Sequence, residues 1–204
     1  MKYLLIVVSV LILTTCSRTF PPPAPLMVTH DAPRIALQFH GDVDFTYRER
    51  ALIAQAIADL EYQTAGLYRL GITYDLDFQA GADRWDGAPW LVRAESSYPW
   101  IALYEWSMNG QILGLTMRDD EHRVHPPRCY LVIDRLGNPN KLRHVAMHEL
   151  LHAAWLDDVV AVGNVMSGRS SGNGPLPVCL TSVDRREFCR ALGCKVEELN
   201  GCDP

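Results

Sequence analysis

The sequence predicts a single α+β domain. Segments that alternate apolar and polar residues are interleaved with segments whose apolar residues recur at helical spacing. The chain is 48% hydrophobic and 21% charged over 204 residues, enough apolar material for one real core. No internal repeat and no second domain boundary interrupts the pattern.

The elements follow in order. Arg34-Ile35-Ala36-Leu37-Gln38-Phe39 alternates and reads as a strand. Thr46-Tyr47-Arg48-Glu49 is a capping box, Thr as N-cap and Glu three residues on, and it opens a helix. Leu52, Ile53, Ala56, Ile57 and Leu60 give that helix its apolar stripe, and it is expected to run to about Gly66. Ile72 to Phe78 alternates again and reads as a second strand. Residues 79–99 carry Gly, Asp and Pro without a period and read as a long surface loop. Ile101 to Trp106, Gln111 to Met117 and Cys129 to Asp134 read as three further strands. The charged stretch Arg118 to Arg128, ending in Pro126-Pro127, reads as a loop between the last two. Asn138 or Asn140 then caps a helix with Pro139 in its first turn, and Leu142, Val145, Ala146, Leu150 and Ala153 form its buried side. The chain is irregular through Gly163, Gly168, Gly172 and Gly174 until Thr181 opens a last helix carrying Asp184, Phe188, Ala191 and Leu192.

The N-terminus is expected to lie outside this fold. Lys2 precedes an apolar run, Leu4 to Leu13, too short to span a bilayer comfortably, so residues 1–15 read as a signal peptide. Leu13-Thr14-Thr15-Cys16 resembles a bacterial lipoprotein processing site, with Thr15 where a smaller residue is usual. Residues 16–33 hold Pro21, Pro22, Pro23, Pro25 and Pro33 and read as a stiff tether, leaving 34–204 as the folded domain. The expectation is an exported protein: a bacterial cell-envelope lipoprotein attached to the membrane through a lipidated Cys16, a secreted protein, or one held by a retained anchor. A net charge of -5 without a basic run argues against nucleic acid as a partner. Apart from Cys16 there are five cysteines, four of them in the last 26 residues, which predicts a disulfide-stapled C-terminal segment of unspecified connectivity. A zinc knuckle is disfavoured because no C-x-x-C pair is present.

One run carries chemistry. His148-Glu149-Leu150-Leu151-His152 places two histidines four apart, one turn apart on one helix face, where both imidazoles reach a single metal ion. Glu149 beside them is placed to take a proton from water. A random chain of this composition would carry the pattern only about once in a hundred, so a plain helix with two surface histidines is the weaker reading. Asp158 follows six residues after His152, and Met166 eight after that, in Gly163-Asn164-Val165-Met166-Ser167.

These residues resemble the metzincin metalloproteases, the matrixin branch above all. The family's pattern is H-E-x-x-H-x-x-G-x-x-H/D followed by a Met-turn. His148, Glu149 and His152 match it, Asp158 stands at the third ligand as in the snapalysin branch, and Met166 stands at the Met-turn. The order of elements over 34–192 also follows the family. The resemblance implies a mixed, mostly parallel twisted sheet of about five strands with two long helices, the active-site helix leading to the Met-turn and a C-terminal helix. It implies one catalytic Zn2+ held by His148, His152 and Asp158, Glu149 as general base, a monomer, and a polypeptide substrate lying along the cleft's edge strand at Ile112, Leu113, Gly114 and Leu115. The expected activity is that of a zinc metalloendopeptidase. The alternative is a weak or inactive zinc-binding surface module.

The chain departs from the family at Trp155, which occupies the place of its glycine. That glycine leaves the helix in a conformation costly for a residue with a Cβ. Asp157, next door, is therefore the alternative third ligand, and Glu187, Glu197 or Glu198 the distant one. His144, one turn before His148, reads as a supporting or surface group, and His122 and His125 as solvated. Pro127-Arg128-Cys129 resembles the matrixin propeptide switch but falls inside the domain, so Cys129 is expected in a disulfide. Gly168 stands where astacin-like enzymes carry a metal-binding tyrosine.

Overall fold

The computed structural model describes residues 34–78, 87–108, 110–118, 126–159, 163–168 and 176–200. The expected N-terminal leader and tether (1–33), His122, His125, Gly172, Gly174 and Cys202 lie outside them. The fold is α+β, with a five-stranded, mostly parallel sheet and four helices.

Strand β1 (Ile35–Asp42) leads into helix α1 (Tyr47–Gln63), which returns the chain to β2 (Tyr68–Leu76) parallel to β1. The capping box forms as expected: the Thr46 side chain accepts from Glu49 N–H, and the Glu49 carboxylate accepts from Thr46 N–H at 2.7 Å. The helix stops at Gln63, three residues before Gly66. Strand β3 (Trp90–Ala94) lies on the other side of β1, then helix α2 (Pro99–Met108), strand β4 (Gly114–Met117) and strand β5 (Arg128–Val132) follow. The order across the sheet is β2-β1-β3-β5-β4, with only the β4–β5 pair antiparallel, so β4 is an edge. Helices α3 (Pro139–Ala153) and α4 (Ser182–Leu192) complete the fold. Among the described residues no helix is long and apolar enough to cross a membrane.

Two of the expected elements are corrected. Trp90 to Ala94 is a central strand, not part of a loop. Its side chains split between two cores: Leu91 joins Phe39, Leu131 and the buried faces of α1 and α3, while Trp90, Val92 and Ala94 join Tyr130, Val132 and Ile101 on the opposite face. With Trp90, Leu91, Val92 and Ala94 buried across both faces and Arg93 the one polar residue, the strand shows no regular alternation. Ile101 to Trp106 is helix, not strand. Ile101 is fully buried against that second sheet face, but Leu103 and Trp106 on the outer side are exposed apolar residues, which erases the amphipathic signature.

Helix α3 is the element that positions the site. The Asn138 side chain caps it by accepting from Asn140 N–H at 2.8 Å, with Pro139 in the first turn. Leu142, Val145, Ala146, Leu150 and Ala153 are all buried, packed against α1 and the sheet. Each fully buried leucine contributes about 1.5–3 kcal/mol. The C-terminal segment is stapled as expected, by Cys189–Cys194 across the end of α4, and Cys179 is also disulfide-bonded. Cys129 corrects the expectation made for it. It is a free, buried thiol whose Sγ lies 3.4 Å from the Glu149 carbonyl, and burial pushes its pKa far up.

Candidate metal centre

His148 and His152 project one turn apart from α3, with their rings near perpendicular at 86° and centroids 4.5 Å apart. Both rings are oriented from behind. His148 Nδ1 lies 2.8 Å from the Val165 carbonyl, and His152 Nδ1 lies 2.7 Å from the Leu156 carbonyl. A carbonyl can only accept, so each Nδ1 carries the hydrogen and the neutral ring leaves a lone pair on Nε2. The two Nε2 atoms are 3.0 Å apart, and each is 3.3 Å from Asp158 Oδ1. Three electron-rich atoms so close repel one another unless a positive charge lies among them. A tetrahedral ion with N and O bonds of about 2.0–2.2 Å spaces its ligand atoms by roughly 3.3 Å, so the donor set fits a metal such as zinc. Among the described residues this is the one group of His, Cys, Asp and Glu so placed.

Electrostatics favour the ligating form at His148 and Asp158 but not at His152. Burial, helped by the neighbouring His152, lowers the His148 pKa to about 4, so its Nε2 is unprotonated at neutral pH. Burial opposes protonation of His152, but Asp158, Glu149 and the Leu156 carbonyl together raise its pKa. The close approach of His152, with the charges of the histidines and Arg118, holds the Asp158 carboxyl below its usual range despite partial burial.

Asp157 points elsewhere. It is 73% exposed at its side chain and pairs with Arg118 at 2.8 Å, leaving Asp158 as the carboxylate that faces the imidazoles. The distant alternatives are also engaged elsewhere: Glu187 pairs with Arg190, Glu198 accepts from Lys195 N–H, and Glu197 is exposed.

Trp155, three residues after His152, adopts a backbone conformation that favours glycine. Its φ is +65, in the left-handed region, with Trp155 N–H bonded to the His152 carbonyl at 2.9 Å and Leu156 N–H to the Leu151 carbonyl at 3.3 Å. The helix therefore ends as abruptly as with glycine, at a conformational cost of about 1–2 kcal/mol.

Beyond this turn the chain doubles back. Val159 N–H donates to the Met166 carbonyl at 2.7 Å, and Val159 bridges Ser167. Met166 is fully buried. Its turn is held by Asp184, also fully buried, whose carboxylate accepts from Val165 N–H at 3.1 Å, Met166 N–H at 3.0 Å and Thr181 N–H at 2.8 Å. By sequence alone Asp184 is simply a residue of the last helix. The one local signal is the Thr181-x-x-Asp184 capping spacing, which sends the carboxylate back to the Thr181 N–H. Gly168 packs against the Asp158 carboxylate. A Cβ there would lie 2.6 Å from Asp158 Oδ2, so the glycine gives the ligand its room.

Glu149 is buried between α3 and β4. The Thr116 hydroxyl donates to Oε2 at 2.7 Å, and a Cβ on Gly114 would meet the carboxylate and lie 2.7 Å from Val145 Cγ1. Burial pushes the Glu149 pKa up to about 7, against the pull of His152 and Thr116. His144 is not at the ion site. It is buried, with Nδ1 2.5 Å from the Pro177 carbonyl, and burial lowers its pKa.

The expected edge strand is there in part. Gly114 and Leu115 lie in β4, whereas Ile112 and Leu113 precede it. Val132 N–H donates to the Leu113 carbonyl, so the antiparallel alternation turns the N–H and C=O of Gly114 and Thr116 outward from the sheet. Ile112 is removed from the expected pairing set, because its N–H donates to Glu105 and its carbonyl accepts from Arg135.

No protein-family model matches the chain, and no curated protein matches it.

Proposed function

We propose that this chain is a zinc-dependent endopeptidase with a metzincin-like catalytic domain, exported and acting at or outside the cell envelope. The observation that carries the reading is the triangle of His148 Nε2, His152 Nε2 and Asp158 Oδ1 at 3.0–3.3 Å, with both Nδ1 atoms committed to backbone carbonyls. Two imidazoles and one carboxylate are a donor set that suits zinc and leaves a coordination position open. Zinc bound there supplies a Lewis acid that polarises the scissile carbonyl and acidifies water.

The rest is work for the chain's own residues. Thr116 anchors Oε2 of Glu149, and the carboxylate keeps lone pairs with which to accept from the attacking water. Burial raises the Glu149 pKa, the direction that suits a carboxylate both to accept the water's proton and to return it to the leaving amine. A structural zinc site needs no such buried carboxylate, which favours an enzyme over a binding module. The outward backbone groups of Gly114 and Thr116, beside Glu149, suit an extended polypeptide added to the sheet edge, which favours a peptidase over other hydrolases.

The test is cleavage of casein and a peptide library by the zinc-loaded full chain and by Glu149→Ala. The expected result is cleavage by wild type and a loss of about 10²–10⁴-fold in the variant with zinc retained. Zinc in both forms and cleavage by neither would reduce the chain to a zinc-binding module.

A further inference from the structure

We propose that Arg118 is a positioning residue for the metal centre, one that makes Trp155 tolerable where a glycine would otherwise be needed. The inference rests on the reading of His148, His152 and Asp158 as zinc ligands.

Arg118 directly follows the edge strand β4, and its half-buried side chain crosses to the turn that ends α3. There it makes four contacts. Its guanidinium carbon lies 5.5 Å from the centre of the Trp155 ring. Its Nη1 donates to the Leu156 carbonyl at 3.1 Å and, more weakly, to the His152 carbonyl at 3.5 Å. Its Nη2 pairs with Asp157 at 2.8 Å.

Each contact constrains a ligand. The Leu156 carbonyl is the group that orients His152 through Nδ1, so Arg118 fixes the orienting group itself. Asp157 is the wrong carboxylate, and pairing it outward leaves Asp158 to face the imidazoles. The ring contact and the carbonyl bonds together brace the left-handed residue, and a cation at a helix C-terminus also offsets the exposed carbonyl dipoles. A glycine would make this turn unaided, since it meets no Cβ penalty at positive φ. The arrangement also ties the candidate substrate strand to the ligand turn through a single side chain.

A chelator-competition titration of zinc on the full chain tests this, in wild type, Arg118→Ala, Arg118→Lys, Trp155→Gly and the two double variants. Thermal unfolding of each form in chelator is measured alongside. Losing a group that orients ligands weakens zinc binding about 10–100-fold, so Arg118→Ala is expected to bind at least about tenfold more weakly. Arg118→Lys, which keeps the charge but not the planar fork, falls between. In the Trp155→Gly background the same Arg118 changes are expected to cost less than about threefold, because contacting residues are not additive. Should Arg118→Ala fail to fold, the lysine pair answers the same question. Unchanged zinc affinity in the Arg118 variants, lowered stability in chelator without weaker zinc, or an equal Arg118 effect in both backgrounds would overturn the role. A wild type that binds no zinc would instead overturn the metal reading, and this role with it.

Discussion

Helix α3 and the segment that follows it, Ala154 to Gly168, supply the same candidate centre by different physics. The helix contributes His148, Glu149 and His152 through its own period: once its buried side packs, the two imidazoles share a face, and the Val165 and Leu156 carbonyls fix only the orientation of their rings. The following segment contributes Asp158 and the Met166 turn through contacts from elsewhere in the chain. Arg118 arrives from the end of β4, Asp184 from the start of α4, and Val159 is bonded back to Met166. Local periodicity thus places two ligands, and tertiary contact places the third. Damage to the two regions is expected to separate accordingly.

The largest separation is expected at Asp184. Replacing it by Ala strands the buried N–H groups of Val165 and Met166 and frees the part-buried one of Thr181, at a cost of about 3 kcal/mol or more in chemical denaturation. Zinc binding should weaken with it, although Asp184 touches no ligand atom. A change within about 0.5 kcal/mol, as at an ordinary surface position, would show that the turn holds itself.

Next come two glycines that crowd the two functions separately. A methyl at Gly168 meets Asp158, so Gly168→Ala should weaken zinc binding by about tenfold. A methyl at Gly114 meets Glu149, so Gly114→Ala should lower cleavage by about tenfold or more while leaving zinc affinity within about threefold. Equal effects of both variants on zinc would erase the distinction between the two regions.

The smallest effect is expected within α3, at His144. Burial lowers its pKa, so below about 6.5 the unfolded chain binds more protons than the folded one. The stability contribution of the neutral ring is therefore present above that pH and lost as pH falls through and below it. Urea unfolding in chelator should show wild type losing stability between pH 7 and pH 5 more steeply than His144→Gln. Parallel slopes would remove His144 from the account.

The same division explains what the sequence made legible. Helices α1, α3 and α4 could be read because capping boxes or an N-cap and apolar spacing are local signals. So could β1 and β2, which keep an alternating face. Strand β3 and helix α2 could not, since Trp90, Val92 and Ala94 are buried on the face opposite Leu91, and α2 shows Trp106 and Leu103 to solvent. At the candidate site the histidines and Glu149 stood out by spacing. The choice between Asp157 and Asp158 did not, because the pairing of Asp157 with Arg118 and the backbone of Trp155 are tertiary facts. Thr116 and Gly168 carry no motif of their own, and the capping spacing of Asp184 says nothing of the Met166 turn, so these residues act through what folding brings beside them.

The central claim is that His148, His152 and Asp158 together hold one ion. Zinc content after equilibrium dialysis of the full chain tests it most directly. The account predicts about one zinc per wild-type chain at micromolar free zinc and almost none for His148→Ala or His152→Ala. It also predicts sharply reduced retention for Asp158→Ala, against wild-type retention for Asp157→Ala. No zinc on wild type, or equal zinc on wild type and the histidine variants, would contradict it.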